Sequence, residues 1–144
     1  MTVLLLSVPV PAKDKHHDAV VNALRKAGWT TIDEQVMIIL EERRLWIDLQ
    51  IARPDHDGAI LIEIKGFENM PSPVEYLAQS IGKYRLYLSV LNYLKIDHPL
   101  YMAVPEAAYR GILSEAIGQQ TLQQNAVKLL VFDPEAEEII EWID

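Results

Sequence analysis

One stretch constrains this chain more than any other: the helix start Ser72-Pro73-Val74-Glu75, set between two short apolar runs. A serine at the cap, proline at the first helical position and glutamate three residues after the cap satisfy the free amides of a first turn and pre-set its backbone. The apolar spacing carries this helix to about Leu94, with Val74, Leu77, Ala78, Ile81, Leu88 and Leu91 as its buried stripe. The run Leu61-Ile62-Glu63-Ile64-Lys65-Gly66 before it and Leu100 to Val104 after it read as strands. A strand, a long helix and a second strand form a crossover, which places the two strands parallel in one sheet.

The rest of the chain extends this unit in both directions. Asp14 opens a helix in which Val20, Val21, Leu24 and Ala27 recur on one face, and Gly28 stops it. Trp29 to Leu40 and Leu45 to Ile51 are strands joined at the charged turn Glu41-Glu42-Arg43-Arg44; a second turn, Arg53 to Gly58, leads to the Glu63 strand, giving a three-stranded meander. Leu45, Ile47, Leu49 and Ile51 alternate with Trp46, Asp48 and Gln50, so strict alternation sets one continuous aliphatic row against Asp48. Beyond Val104 the pattern predicts a helix from Pro105 to Ile117 ended by Gly118, a polar helical stretch from Gln119 to Asn125, a strand from Val127 to Phe132, a turn at Asp133 to Ala136 and an edge strand from Glu138 to Ile143. The expected fold is α/β with a mixed sheet and helices packed against it.

At 144 residues, 50% hydrophobic, the chain suits one domain with a real core. We take residues 1–10 as an extension, with Thr2 to Val10 an arm or extra strand, and 11–144 as the domain. The absence of cysteine excludes a disulfide framework and a thiolate zinc site, and with no basic leader or spanning segment the expected location is cytoplasmic. A formal net charge of −8 argues against a broad nucleic-acid-wrapping surface, so contact with DNA calls for a local basic patch or a partner. The acidic end from Asp133 to Asp144 reads as a solvated hairpin face.

Chemistry concentrates at Glu63-Ile64-Lys65. On a strand, residues two apart share a face about 6.5 to 7 Å from one another, so Glu63 and Lys65 stand side by side with Leu61 while Ile60, Ile62 and Ile64 face the other way. Asp48 is unusual in a strand interior, and on the neighbouring strand it can share a face with Glu63. Two carboxylates suit Mg²⁺ or Mn²⁺, with the Ile64 carbonyl as a further ligand and Lys65 to stabilise charge on a phosphoryl group. Lys83 and Tyr87 emerge together one helical turn apart. His17 projects from the apolar side of the first helix, either as a core histidine or as a site residue, whereas His16 is peripheral. Tyr84 and Trp142 serve either packing or an interface. No glycine-rich phosphate loop, zinc-binding histidine pair or nucleophile elbow is present.

The αβββαβ order with Asp48 and Glu63-Ile64-Lys65 resembles the PD-(D/E)xK, or restriction endonuclease-like, fold, a three-layer α/β/α arrangement. A narrower set of stretches resembles the XisH family, the fdxN element excision controlling factors of cyanobacteria: Pro11-Ala12-Lys13-Asp14 with His17-Asp18-Ala19-Val20, Ile47-Asp48-Leu49, Ile62-Glu63-Ile64-Lys65, Ser72-Pro73-Val74-Glu75, Leu129 to Pro134 and Glu141-Trp142-Ile143. The resemblance covers the chain from Pro11 onward. It implies an accessory factor in the site-specific DNA excision of heterocyst development, working on DNA with a recombinase and a small XisI-type companion; a homo-oligomer is a separate expectation, open from the sequence. The implied site has Asp48 and Glu63 as Mg²⁺ or Mn²⁺ ligands, Lys65 as stabiliser, and His17, Lys83 and Tyr87 in support. Two departures stand out: related nucleases often carry glutamate where His17 falls, and relatives in the family usually carry glutamine at Lys83. The resemblance is compatible with retained metal-dependent phosphodiester hydrolysis and equally with an inactive module acting through protein contacts.

Overall fold

The computed structural model describes residues 14–144; the expected extension and the Thr2 to Val10 arm lie outside the described residues. Helix α1 is His17–Lys26, followed by strands β1 Thr30–Leu40, β2 Arg43–Ala52 and β3 Ile60–Ile64, then α2 Pro73–Tyr93, β4 Leu100–Pro105, α3 Glu106–Arg110, a 3₁₀ turn Ile112–Ser114, α4 Ala116–Gln124, β5 Leu129–Asp133 and β6 Glu138–Ile143. The six strands lie in chain order in a single sheet. β1, β2 and β3 form the antiparallel meander, β3–β4 and β4–β5 are parallel, and β6 returns antiparallel at the edge. The sheet is therefore mixed, and the parallel pairs are those spanned by helices, as a crossover requires.

Helices cover both faces in a three-layer α/β/α arrangement. Val20 and Leu24 of α1 pack with Leu49, Ile51, Ile60, Ile62, Ile64, Ala103, Leu130 and Phe132 on one side. Leu77, Ile81, Tyr84, Tyr87 and Leu91 of α2 pack with Val36, Ile47, Leu61, Met102 and Val131 on the other. The odd and even residues of β3 thus enter different cores, which follows from strand alternation.

The capping box forms: Ser72 Oγ accepts the Glu75 amide at 3.3 Å. The buried stripe of α2 is rotated from the expected one, because Val74 and Ala78 are exposed while Ser80, Tyr84, Tyr87 and Val90 are buried. Two tyrosines bury more surface than the smaller residues they displace. Tyr84 is core rather than interface, its hydroxyl donating to the Leu100 carbonyl at 2.7 Å and accepting the Lys128 amide at 3.2 Å. Trp142 packs on Trp29 and Tyr101.

The expected helix from Pro105 to Ile117 is not continuous. It breaks after Arg110 at Gly111, passes through the 3₁₀ turn and restarts as α4. Gly118 lies inside α4 instead of ending a helix, and the reason is contact: a β-carbon there would come within 2.2 Å of the Ile112 carbonyl oxygen. The row Leu45, Ile47, Leu49, Ile51 is also divided. Leu45 and Ile47 join the α2 side, whereas Leu49 and Ile51 join the α1 side, so the alternation of β2 slips between Ile47 and Leu49. Opposite that point Gln35 takes a left-handed backbone, φ 53°. The acidic end is tied down as well as solvated, with Asn22 donating to Glu137 at 3.2 Å and Tyr101 to Asp144 at 2.5 Å.

Candidate active site

The pairing of β2 with β3 ends at Leu49 opposite Ile62. One step further the same register sets Asp48 opposite Glu63, and there the ladder hydrogen bond is replaced by a side chain: the Ile64 amide donates to Asp48 Oδ2 at 2.7 Å. Both carboxyls therefore reach the α2 side of the sheet. They line a pocket of about 240 Å³ with Asp14, Gln35, Trp46, Ile64, Lys65, Lys83 and Tyr87. Across the pocket from α2, Lys83 Nζ lies 2.7 Å from Glu63 Oε2, and Lys65 Nζ lies 4.0 Å from the same oxygen. Lys83 also stands over the Tyr87 ring at 5.3 Å, a cation–π contact that orients it.

The electrostatics follow from crowding like charges around a carboxyl that is itself buried at the edge of the pocket. Glu63 is only 3% exposed. Burial, and after it the neighbouring Asp48 charge, push its carboxyl up to about 7, although Lys83 and Lys65 act against that. Asp48 is also raised, chiefly by burial, with the Ile64 amide and Lys83 in opposition. Lys65 is lowered by burial and then by the Lys83 charge. Lys83 is raised: burial works against its charged form, but the Glu63 carboxylate outweighs it. Glu63 Oε1 is buried without a hydrogen-bond partner. Two converging carboxylates, one with an orphaned oxygen, make a donor set that fits a hard divalent cation. Among the described residues no three His, Asp or Glu side chains are close enough to hold one ion, so such a cation would complete its shell with backbone oxygen and water.

The structure thus brings Asp48, Glu63, Ile64, Lys65, Lys83 and Tyr87 together. His17 does not line this pocket. It is buried on the α1 side, with Nε2 2.5 Å from Glu34 Oε1. His16, expected at the periphery, is buried as well; its Nε2 lies 2.5 Å from Glu68 Oε1 and its ring meets the edge of Phe132, because the turn before α1 folds it inward over Gly66. Residue spacing missed three pocket residues, Asp14, Gln35 and Trp46, the last of which reads in the sequence only as a strand residue beside Asp48. Asp14 reads in the sequence only as a cap, and its Oδ1 does accept the His16 amide at 2.8 Å. Gln35 carries no sequence signal at all, since what distinguishes it is a backbone angle.

Solved structures with this fold include two crystal structures. One, of an XisH family protein from Nostoc punctiforme PCC 73102, is 27% identical, with a TM-score of 0.83 over 91% of this chain and 100% of that one. The other, of an fdxN element excision controlling factor protein from Anabaena variabilis, is 29% identical, with a TM-score of 0.83 over 92% of this chain and 100% of that one. No curated protein matches the chain. The family pattern described as XisH protein matches residues 10–140, and with a match across nearly its whole length the chain belongs to the XisH family.

Proposed function

We propose that this chain takes part in the control of site-specific DNA excision, and that the pocket at Asp48 and Glu63 is a phosphodiester site of the PD-(D/E)xK nuclease kind. The excision role rests on family membership and on the likeness to the Anabaena variabilis factor. The observation that carries the site is the convergence of two carboxyls, one buried and one half-buried, and two ammonium groups in one pocket. Asp48, Glu63 and the Ile64 carbonyl would hold Mg²⁺ or Mn²⁺, which when bound supplies a nucleophilic water and offsets phosphoryl charge. Lys65, held beside Glu63, offers an ammonium to the charge that builds on the phosphoryl oxygens, and its depressed basicity marks it as poorly hydrated and ready to pair with an anion. Lys83, steadied by Tyr87, is placed to exchange its contact with Glu63 for a phosphate oxygen. His17 supports the site at one remove, by holding Glu34 next to Gln35 on β1.

A DNA substrate, a recombinase and an XisI-type companion complete this reading, with the net charge of −8 calling for a partner to bring DNA to the site. One observation favours a second reading, a catalytically silent module acting through protein contacts: Lys83 Nζ already sits on the Glu63 oxygen that a metal would use. Thermal unfolding with Mg²⁺ and Mn²⁺, comparing the natural chain with Glu63→Ala, separates the two. A cation at about 100 times its dissociation constant adds about 2.7 kcal/mol, and that gain should vanish in the variant; no gain with either metal removes the metal site. Cleavage of supercoiled and branched DNA should fall in Lys65→Ala, and equal cleavage by both proteins would assign the activity to a contaminant.

A further inference from the structure

Strand β1 is irregular at two places, a bulge between Thr31 and Asp33 and a break in the pairs at Gln35, and the second lies beside the pocket. Gln35 has φ 53°, and the pairs that flank it, Glu34 opposite Leu49 and Val36 opposite Ile47, set it across from Asp48. A left-handed backbone is costly for a residue with a β-carbon, and glycine or asparagine would meet the demand with less strain. The side chain is also unsatisfied: Gln35 Nε2 is buried and has no hydrogen-bond partner, although the residue lines the same pocket as Asp48, Glu63, Lys65 and Lys83. Two separate costs, one in the backbone and one in a donor left unpaired, meet at a single residue beside the site. Strain of this kind gathers where ligands are held.

We propose that Gln35 is a ligand-contacting residue of this pocket, its side-chain amide donating a hydrogen bond to an oxygen of a bound phosphodiester. The inference rests on the phosphodiester reading above and adds to it a neutral, directional donor. Lys65 and Lys83 neutralise charge but orient it weakly, and both are drawn to Glu63. An amide N–H carries no net charge, so it lacks the Coulomb attraction that draws an ammonium to the carboxylates, and it fixes direction. The irregularity that strains Gln35 also turns Val36 and Ile47 under α2, so the polar pair Gln35 and Asp48 borders a dry wall on the same face.

Two substitutions separate the side chain from the backbone. Gln35→Gly relieves the strain and removes the amide, whereas Gln35→Asn keeps an amide and tolerates the left-handed backbone. The probe is a fluorescent phosphorothioate oligothymidylate of about eight nucleotides, titrated by anisotropy in Mn²⁺, with Lys65→Ala as a control and thermal unfolding measured alongside. Gln35→Gly should weaken binding about tenfold with no loss of thermal stability, and Gln35→Asn should keep most of the affinity. Unchanged affinity in Gln35→Gly, while Lys65→Ala binds more weakly, would overturn the role of Gln35 and leave the phosphodiester reading standing. Weaker binding accompanied by earlier melting in Gln35→Gly would also overturn it, since the residue would then be structural. No binding by the natural chain would overturn both.

Discussion

The two faces of β3 differ sharply although they belong to five consecutive buried residues. Toward α1, Ile60, Ile62 and Ile64 enter a dry core closed by Val20, Leu24, Leu130 and Phe132. Toward α2, Leu61 enters a second core, and the next residue on that face, Glu63, faces Asp48 and two lysines. Burial is nearly the same on both faces, but its consequence is opposite. Ile62 gains from leaving water, whereas Glu63 loses hydration and recovers only part of it from Lys83. One strand therefore supplies both stability and a site that costs stability.

The largest effect expected from this comparison is on the dry face. Ile62→Ala should cost roughly 2–5 kcal/mol, because Ile62 is fully buried in the centre of that core; a loss below about 1 kcal/mol in denaturant unfolding would mean that the α1 face is not the stable one. Next comes Glu63, where the sign depends on pH. Its folded carboxyl sits at about 7 against an ordinary value of 4.5, so the native state holds a proton that the unfolded chain releases. The stabilisation is complete below 4.5 and is lost as pH rises through about 7. The natural chain should therefore lose on the order of 2–3 kcal/mol between pH 5 and pH 8 relative to Glu63→Gln. Parallel pH profiles for the two proteins would show that Glu63 pays no burial penalty.

Polar burial with partners should behave differently from Glu63. Tyr84→Phe removes a hydroxyl that serves both the Leu100 carbonyl and the Lys128 amide, and urea unfolding should show about 1–2 kcal/mol lost at every pH between 5 and 8. A pH-dependent loss would tie Tyr84 to the charged site. The smallest effect belongs to Ser72→Ala at the exposed start of α2, about 0.5–1 kcal/mol, accompanied by faster amide exchange confined to the first turn. Exchange that spreads along α2 would instead show that the cap governs the whole helix and the seat of Lys83.

Most of the fold is legible in the sequence because it is written in short-range patterns. Alternation through Ile60 to Ile64 sets Glu63 apart from the isoleucines, and the capping box locates the start of α2. Where a residue packs depends on distant chain, and there pattern and structure diverge. Gly118 looks like a helix stop, yet it is a close-contact glycine facing Ile112. His17 lies on the inner side of α1, as its spacing predicts, but its partner is Glu34, seventeen residues away on β1. Gln35 is invisible in the sequence because glutamine has no spacing signal for a left-handed backbone.

By itself the sequence determined the order of elements, the parallel crossover through α2, the two faces of β3 and the types of group available to the pocket. These depend on periodicity and local hydrogen bonding, which act within a few residues. Only the tertiary structure decided that Asp48 stands opposite Glu63, that Lys83 reaches across from α2 to the same carboxyl, and that Gln35 bends β1 beside them. Those are distances between strands and helices far apart in the chain. They are set by how the two cores close, and the same closure that buries Glu63 raises its carboxyl and gives the pocket its chemistry.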